Sequence, residues 1–392
     1  MVPNIKVAVF IEQWFPQIGG SEIREYQLAK LLAERGIEFT FFVRNLKDSK
    51  GRNAPGKEWI HPKICIERLG TLPTSFESNI FRIEYLIRSI AKLQRLRSEF
   101  DLLHAHTFTG GLSALCLSKM GCLPSILTIQ AIHKGRWADV VPGALQSRII
   151  SHIDAKILSN LSAFDNIAVV SRKHYQFLIN NGLSPSKIMW VPNGINEAEI
   201  NRKNTYGAPE KPMILFAGRM TKVKGIEYLL KAFSLIRKKI DAELLIAGDG
   251  PDRERLVRMA SSLGIAGHTK FLGNLNQRVL FSKCREASVF VLPSTSEGFP
   301  ISIIEAWACS CPVVATTVGD LSRLVVPGEN GYLVPPKNPQ ELARSISKAL
   351  DSPDHAHEMG RKGQDLVRRD FTWEPISGKI FRLYQQIAHK NQ

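Results

Sequence analysis

No stretch of this chain reaches the ~18 consecutive apolar residues that a membrane-spanning helix needs, so a helical span is not expected. Cysteine is scarce. The six residues, Cys65, Cys116, Cys122, Cys284, Cys309 and Cys311, form no CxxC pair and no zinc-ligand spacing with histidine. Free thiols follow, with Cys309 and Cys311 read as small packing residues at a helix end. The opening "MVPNIKVAVFIEQW" lacks the basic region, longer apolar core and cleavage site of a secretory signal, so a cytoplasmic location is expected. Also missing are a GxGxxG dinucleotide fingerprint, internal repeats and low-complexity tracts.

Acidic residues are in short supply: 36 Asp and Glu face 52 Lys and Arg, for a net charge of +16. Such an excess suits nucleic acid, an anionic membrane face or phosphorylated ligands. It is not held in a tail, because 24 basic and 15 acidic residues fall through Ile195 and 28 and 21 beyond it. No nucleic-acid-binding motif accompanies the charge, so a nucleic-acid partner is not expected.

What remains is ordinary globular composition, 44% hydrophobic over 392 residues, a length that favours two domains. Continuous apolar runs alternate with helical patterns: "IKVAVFI", "EFTFFV", "FDLLHAHTF", "PSILTIQ", "NIAVVS" and "KIMWVP" in the first half. Strands buried on both faces and separated by helices predict a doubly wound parallel sheet. The stretch from Trp190 to Pro212 has linker composition, after which the alternation restarts with "MILFAG", "AELLIAG", "TKFLG", "ASVFVLPS", "CPVVATT" and "GYLVPP". The segment "RNLKDSKGRNAPGKEW" reads as a basic loop, and the final "FTWEPISGKIFRLYQQIAHKNQ" as a helix interrupted near Pro375. The expected division is an N-terminal domain of 1–193 and a second Rossmann-like domain over 194–374, with 375–392 one helix more than the second domain requires.

Ligands of open α/β sheets bind beyond the carboxyl ends of the strands, which directs attention to four places. In "STSEGFPISIIEAWACSCPVVATT", Glu297 lies on the loop after a strand and Glu305 inside the following helix, with Pro300 suited to its first turn. Burying two carboxylates demands partners; a cap for Glu297 and a core arginine for Glu305 are the structural alternatives to ligand hydroxyls. A glycosidase acid–base pair fits less well, because eight residues of continuous helix would separate them by roughly 12 Å. In "FAGRMTKVKGIEYLL", Arg219 and Lys224 sit between a strand and a helix start, a placement that suits a diphosphate. Gly19 and Gly20 follow the first strand and permit close backbone approach. In "LLHAHTFTGG", His106 is expected to point out beyond the strand end while His104 faces the sheet.

Taken in order, "GGSE", "HAHTFTG", "VPNGIN", "FAGRMTKVKG", "AGDGP", the E-x7-E motif from Glu297 to Glu305 with "PVVATT" after it, "ENGYLVPP" and "FTWE" resemble the family-4 retaining glycosyltransferases over nearly the whole chain. The resemblance implies the GT-B fold, an α/β architecture of two facing Rossmann-like domains with parallel sheets and an interdomain cleft, in which the terminal helix 375–392 returns to the N-terminal domain of 1–193. It implies transfer of a sugar from a nucleoside diphosphate sugar to an acceptor hydroxyl, with no other cofactor. The acceptor would be a glycan or a lipid-linked molecule of polysaccharide or glycolipid biosynthesis. Arg219 and Lys224 match the diphosphate-binding cations, Glu297 the residue on donor-sugar hydroxyls, and Glu305 the residue on the ribose. Gly298, Phe299, Pro300, Ile301 and Ser302 match a segment whose backbone meets sugar and phosphate. His106 matches a histidine near the donor sugar, and Gly19 and Gly20 a loop beside phosphate and acceptor.

Two departures occur: Asn196 where the family often has Asp, and Pro300 where many members have Gly. No DxD-like metal site is visible, so catalysis without a divalent ion is expected. Alternatives within reach of the same residues are a nucleotide-sugar-binding protein without turnover and a pyridoxal-carrying phosphorylase of the same fold, for which no lysine-bearing cofactor motif is found. The helix "FRIEYLIRSIAKLQRLRSEF" sets Ile83, Leu86, Ile87, Ile90 and Leu93 opposite Arg88, Lys92 and Arg95. Its two readings are a core-packed helix with a solvated back and a peripheral contact with the anionic inner face of the membrane.

Overall fold

The computed structural model describes residues 5–11, 20–46, 55–74, 80–106, 109–121, 123–130, 132, 144–202 and 210–389. Internal contacts divide the chain into two units, Met1–Pro192 with Trp373–Gln392, and Asn193–Thr372.

The first unit is built on an eight-stranded sheet of β1 (Lys6–Phe10), β2 (Glu38–Leu46), β3 (Lys57–His61), β4 (Ile64–Thr74), β5 (Leu102–His106), β6 (Ser125–Ile129), β7 (Asn166–Val169) and β8 (Ile188–Trp190). Its order is β3-β4-β2-β1-β5-β6-β7-β8. Every pairing is parallel except the β3–β4 hairpin. The helices are α1 (Gly20–Glu34), α2 (Ile80–Leu96), α3 (Thr109–Lys119), α4 (Ala144–Leu158) and α5 (Arg172–Asn180). The segment read as a basic loop is therefore partly strand: Arg44–Leu46 end β2 and Lys57–Trp59 open β3, while 47–54 lie outside the described residues.

The second unit has six strands, β9 (Met213–Ala217), β10 (Glu243–Ala247), β11 (Thr269–Gly273), β12 (Val289–Leu292), β13 (Val313–Thr316) and β14 (Tyr332–Val334), all parallel in the order β11-β10-β9-β12-β13-β14. Each coincides with one of the six apolar runs singled out in the sequence. Its helices are α6 (Glu197–Ile200), α7 (Ile226–Ile236), α8 (Arg253–Ser262), α9 (Gln277–Glu286), α10 (Ile301–Ala308), α11 (Leu321–Leu324), α12 (Pro339–Asp351) and α13 (Pro353–Asp370).

The chain then returns to the first unit through α14 (Trp373–His389), where Ile376, Ile380, Leu383 and Ile387 pack with Leu28 and Leu32 of α1 on one face of the sheet. The expected interruption near Pro375 does not occur. Pro375 is the third residue of α14, where its missing N–H would have had no intrahelical partner.

In each sheet the first strand of the unit lies in the middle and the chain runs outward on both sides of it. The strand order thus reverses between β1 and β5 in one unit and between β9 and β12 in the other. Those two points, at the strands' carboxyl ends, are where an open α/β sheet receives a ligand.

Candidate active site

In the second unit the loops after β9 and β12 meet at the reversal point. Lys222–Lys224 form a single 3-10 turn closed by Gly225, whose left-handed φ of +65° precedes α7. A Cβ on Gly225 would stand 2.1 Å from the Pro293 carbonyl oxygen, so only glycine lets the β9 loop lie against the β12 loop at this point. The Thr295 N–H donates to the Val223 oxygen at 2.8 Å, locking the two loops together. Within that frame Lys224 Nζ donates to Glu297 Oε2 at 2.8 Å, and Ser294 Oγ donates to the same oxygen at 3.0 Å. Glu297 therefore does not cap α10. It is a largely buried carboxylate, 11% exposed, held by a cation and a hydroxyl.

Arg219, on the same β9 loop, is exposed, and its side chain has no hydrogen bond or ion pair among the described residues. Its backbone is fixed by its neighbours: Met220 N–H donates to Asp249 O at 2.8 Å. Gly298 and the buried Phe299 and Pro300 lead into α10, with Pro300 in the N-cap position and half-buried Ile301 and Ser302 in the first turn. Pro300 supplies no N–H, so amide donors in that segment belong to its neighbours. The Phe299 ring packs on Phe371 with centroids 5.6 Å apart.

Glu305 is half-buried on α10 and meets no core arginine. Among the described residues it has neither hydrogen bond nor ion pair, and burial pushes its carboxyl up to about 7. Beneath it, Cys284, Cys309 and Cys311 are free thiols. A hydrogen bond from the Cys284 thiol to Cys309 together with burial raises Cys284, and burial raises Cys311, so both stay protonated packing groups.

The first unit holds a second polar cluster at its own reversal point. His106, the last residue of β5, is 4% exposed, and its ring stacks on that of His104 with centroids 5.0 Å apart. The two histidines thus share one face of the strand, as residues two apart must, and His106 does not point out alone. His104 contacts Tyr384 Oη at 2.6 Å through Nδ1 and Thr128 Oγ1 at 2.7 Å through Nε2. Burial first, and then His106, lower its pKa to about 3, so it is a neutral imidazole. His106 Nε2 lies 3.3 Å from Glu25 Oε2. The other Glu25 oxygen accepts from the buried Arg24 guanidinium. Gly20 is the first residue of α1, and Gly19 lies outside the described residues.

Among the described residues, Glu25, His104 and His106 are the one group of three whose ligand-type atoms fall within 4.8 Å of one another. Both His104 nitrogens already have partners and a guanidinium sits on the carboxylate, so the group is a hydrogen-bonded network rather than a cation cage. No helix among the described residues is long and apolar enough to cross a membrane.

Residues 18–199 match the Glycosyltransferase Family 4 model and residues 197–366 match Glycosyl transferases group 1. The chain belongs to glycosyltransferase family 4. This glycosyltransferase is 28% identical over 396 residues to a D-inositol 3-phosphate glycosyltransferase of Paenarthrobacter aurescens (strain TC1), with 94% of this chain and 93% of that one covered. It superposes on sucrose-phosphate synthase from Thermosynechococcus elongatus with a TM-score of 0.83 and 25% identity, covering 97% and 98% of the two chains. Its fold also matches the Anabaena protein HepE in complex with UDP-glucose, with a TM-score of 0.74, 17% identity, and coverage of 97% and 100%. The glycosyltransferase therefore has the GT-B architecture, two parallel-sheet α/β domains, as its motifs implied.

Sequence reasoning singled out Arg219, Lys224, Glu297 and Glu305 of the glycosyltransferase but did not single out Arg24, Glu25 or Tyr384. Two charges near the start of a helix read as a solvated face, and the one available signal was their fall beside the "GG" turn. Tyr384 lies 280 residues from the histidine it contacts.

Proposed function

We propose that this glycosyltransferase moves a sugar from a nucleoside diphosphate sugar to an acceptor hydroxyl with retention of anomeric configuration and without a divalent ion. The observation that carries this reading is the pairing of Lys224 with Glu297 at the reversal point of the second sheet, with Arg219 unpaired on the same loop. As the bond from C1 to the diphosphate oxygen breaks, positive charge grows on the sugar and negative charge on the leaving group. Arg219 and Lys224 supply fixed countercharge to that diphosphate, the work a metal ion does elsewhere. Glu297 meets sugar hydroxyls and Glu305 the ribose, whose hydroxyls give its isolated carboxylate the donors it lacks. The acceptor oxygen bonds to C1 on the face the diphosphate leaves, and its proton passes to a phosphate oxygen of the leaving group.

HepE carries UDP-glucose in its solved complex, so uridine diphosphate sugars are the first donors to try. A glycan or a lipid-linked molecule is the proposed acceptor, with polysaccharide or glycolipid as product. The net charge of +16 supports a peripheral contact with an anionic membrane surface. A nucleotide-sugar-binding protein without turnover is disfavoured by the presence of both cations and both carboxylates. The test is a panel of UDP-, GDP- and ADP-sugars assayed for binding and slow hydrolysis, with the anomer first released read by proton NMR. One donor class is expected to bind and release the retained anomer. Release of the inverted anomer, or binding with no turnover of any donor, overturns the reading.

A further inference from the structure

Four ionisable side chains lie buried together in the first unit: Arg24, Glu25, His104 and His106 are 1%, 5%, 2% and 4% exposed. Ions removed from water cost several kcal/mol each unless they are well paired, and cohesion between α1 and β5 would be met by apolar residues at lower cost. Three of the four have hydrogen-bonded partners within the network. Arg24 is bound to Glu25 and reaches the Val191 oxygen at 3.4 Å, with its buried Nε left without a partner among the described residues, and His104 is bound at both nitrogens. His106 differs from all three. Both of its ring nitrogens are shielded from solvent and neither has a hydrogen-bond partner among the described residues, but Nε2 lies 3.3 Å from Glu25 Oε2, close enough for a small adjustment to pair them, while Nδ1 faces no such acceptor in the network. A buried, unpartnered ring nitrogen on the last residue of β5, beside the point where the strand order reverses, is placed as a ligand contact is placed.

We infer that Glu25 is a positioning residue for His106: its carboxylate holds the proton on Nε2 and so presents Nδ1 as a hydrogen-bond acceptor to a sugar hydroxyl. This inference rests on the glycosyl-transfer reading above and adds to it the residue that sets the histidine's tautomer. The logic is that of any imidazole with one nitrogen committed to an acceptor: in the neutral ring the other nitrogen can only accept. Arg24 completes the arrangement. Burial alone would raise the Glu25 carboxyl, but it is held well below the usual carboxylate range with the Arg24 guanidinium against it, so the acceptor facing Nε2 stays ionised. The groups that face His106 are then Glu25 and Arg24 from α1 and His104 on its own strand, with Tyr384 of α14 reached through His104. Lysine at position 25 would meet Arg24 with like charge, and an apolar residue would leave the tautomer free.

The experiment uses the full chain labelled with 15N-histidine, in which two-bond proton–nitrogen correlations report the tautomer of each of the ten histidines. Loss of one set of signals in His106→Asn assigns His106. The expected result is a single Nε2–H tautomer in the wild type, kept in Glu25→Gln, whose amide oxygen still accepts, and lost in Glu25→Leu. Turnover of the donor identified in the panel is expected to fall roughly 10- to 100-fold in Glu25→Leu, the scale of a misplaced contact. Binding of UDP alone is expected to stay unchanged. A Nδ1–H tautomer in the wild type, or a tautomer unaltered in Glu25→Leu, overturns the inference. So does a parallel loss of UDP binding and turnover in that variant, which would assign Glu25 to the fold. If no donor turns over in the wild type, the glycosyl-transfer reading fails, and the tautomer measurement still decides the role of Glu25.

Discussion

Glu305 carries the most direct chemical signal in the molecule, a carboxyl near neutrality with no partner among the described residues. Its folded value of about 7 stands above the ordinary 4.5, so the folded chain holds this proton more tightly than the unfolded one. The resulting stability is complete below pH 4.5 and is lost as pH rises through 7, a contribution on the order of 3 kcal/mol. Thermal stability of the ligand-free wild type should therefore decline between pH 5 and 8 more steeply than that of Glu305→Gln. A nucleotide whose ribose hydroxyls donate to the carboxylate favours the ionised form. UDP binding should thus release protons near pH 7 and tighten from pH 6 to 8, and calorimetry in buffers of different ionisation enthalpy reads this directly. Equal proton release in Glu305→Gln would remove the ribose from this residue. The sequence pointed to Glu297 and Glu305 through their spacing. It did not show that Glu297 is paired 73 residues back with Lys224 while Glu305 is unpaired, because that depends on how two loops meet.

Among the elements, the six strands of the second sheet were readable because each is a short apolar run buried on both faces. The β3–β4 hairpin was not. At the sheet edge β3 buries little, with Trp59 62% exposed, and β4 breaks its apolar pattern at Glu67, Arg68 and Gly70. Helix α14 is continuous where its sequence predicts a break, because Pro375 falls in the first turn, where a proline fits. Helix α2 keeps part of its expected stripe. Leu93 is buried and Ile90 packs on the core, joined by Tyr85 and Ser89, whereas Ile87 stands 61% exposed. Arg88 pairs with Glu84 and Lys92 with Glu67, which leaves less free positive charge on this helix than its sequence offers. The peripheral-membrane proposal therefore leans on Ile87 and on the chain's overall charge. It predicts salt-sensitive sedimentation with vesicles containing anionic lipid and little with neutral ones, because screening acts within a Debye length of ~10 Å at 0.1 M. Absence from the anionic pellet at low salt would favour an acceptor that is not anchored in a bilayer.

The molecule as a whole repeats one solution twice: a parallel sheet wound outward from its first strand, with polar residues gathered where the winding reverses. In the second unit those residues are two cations and two carboxylates, and in the first a buried Arg24–Glu25–His106 network. Only the former could be read in advance, because its residues sit on short loops within recognisable motifs. The latter needs α1, β5 and α14 to be folded together before its contacts exist. The central claim is that Arg219 and Lys224 bear the charge of a leaving diphosphate, and donor turnover in purified Arg219→Ala and Lys224→Ala tests it most directly. Loss of one such contact typically costs on the order of 10² to 10³ in rate. Each variant should show that loss while its thermal transition stays near that of the wild type. Near-normal turnover in both folded variants would contradict the account.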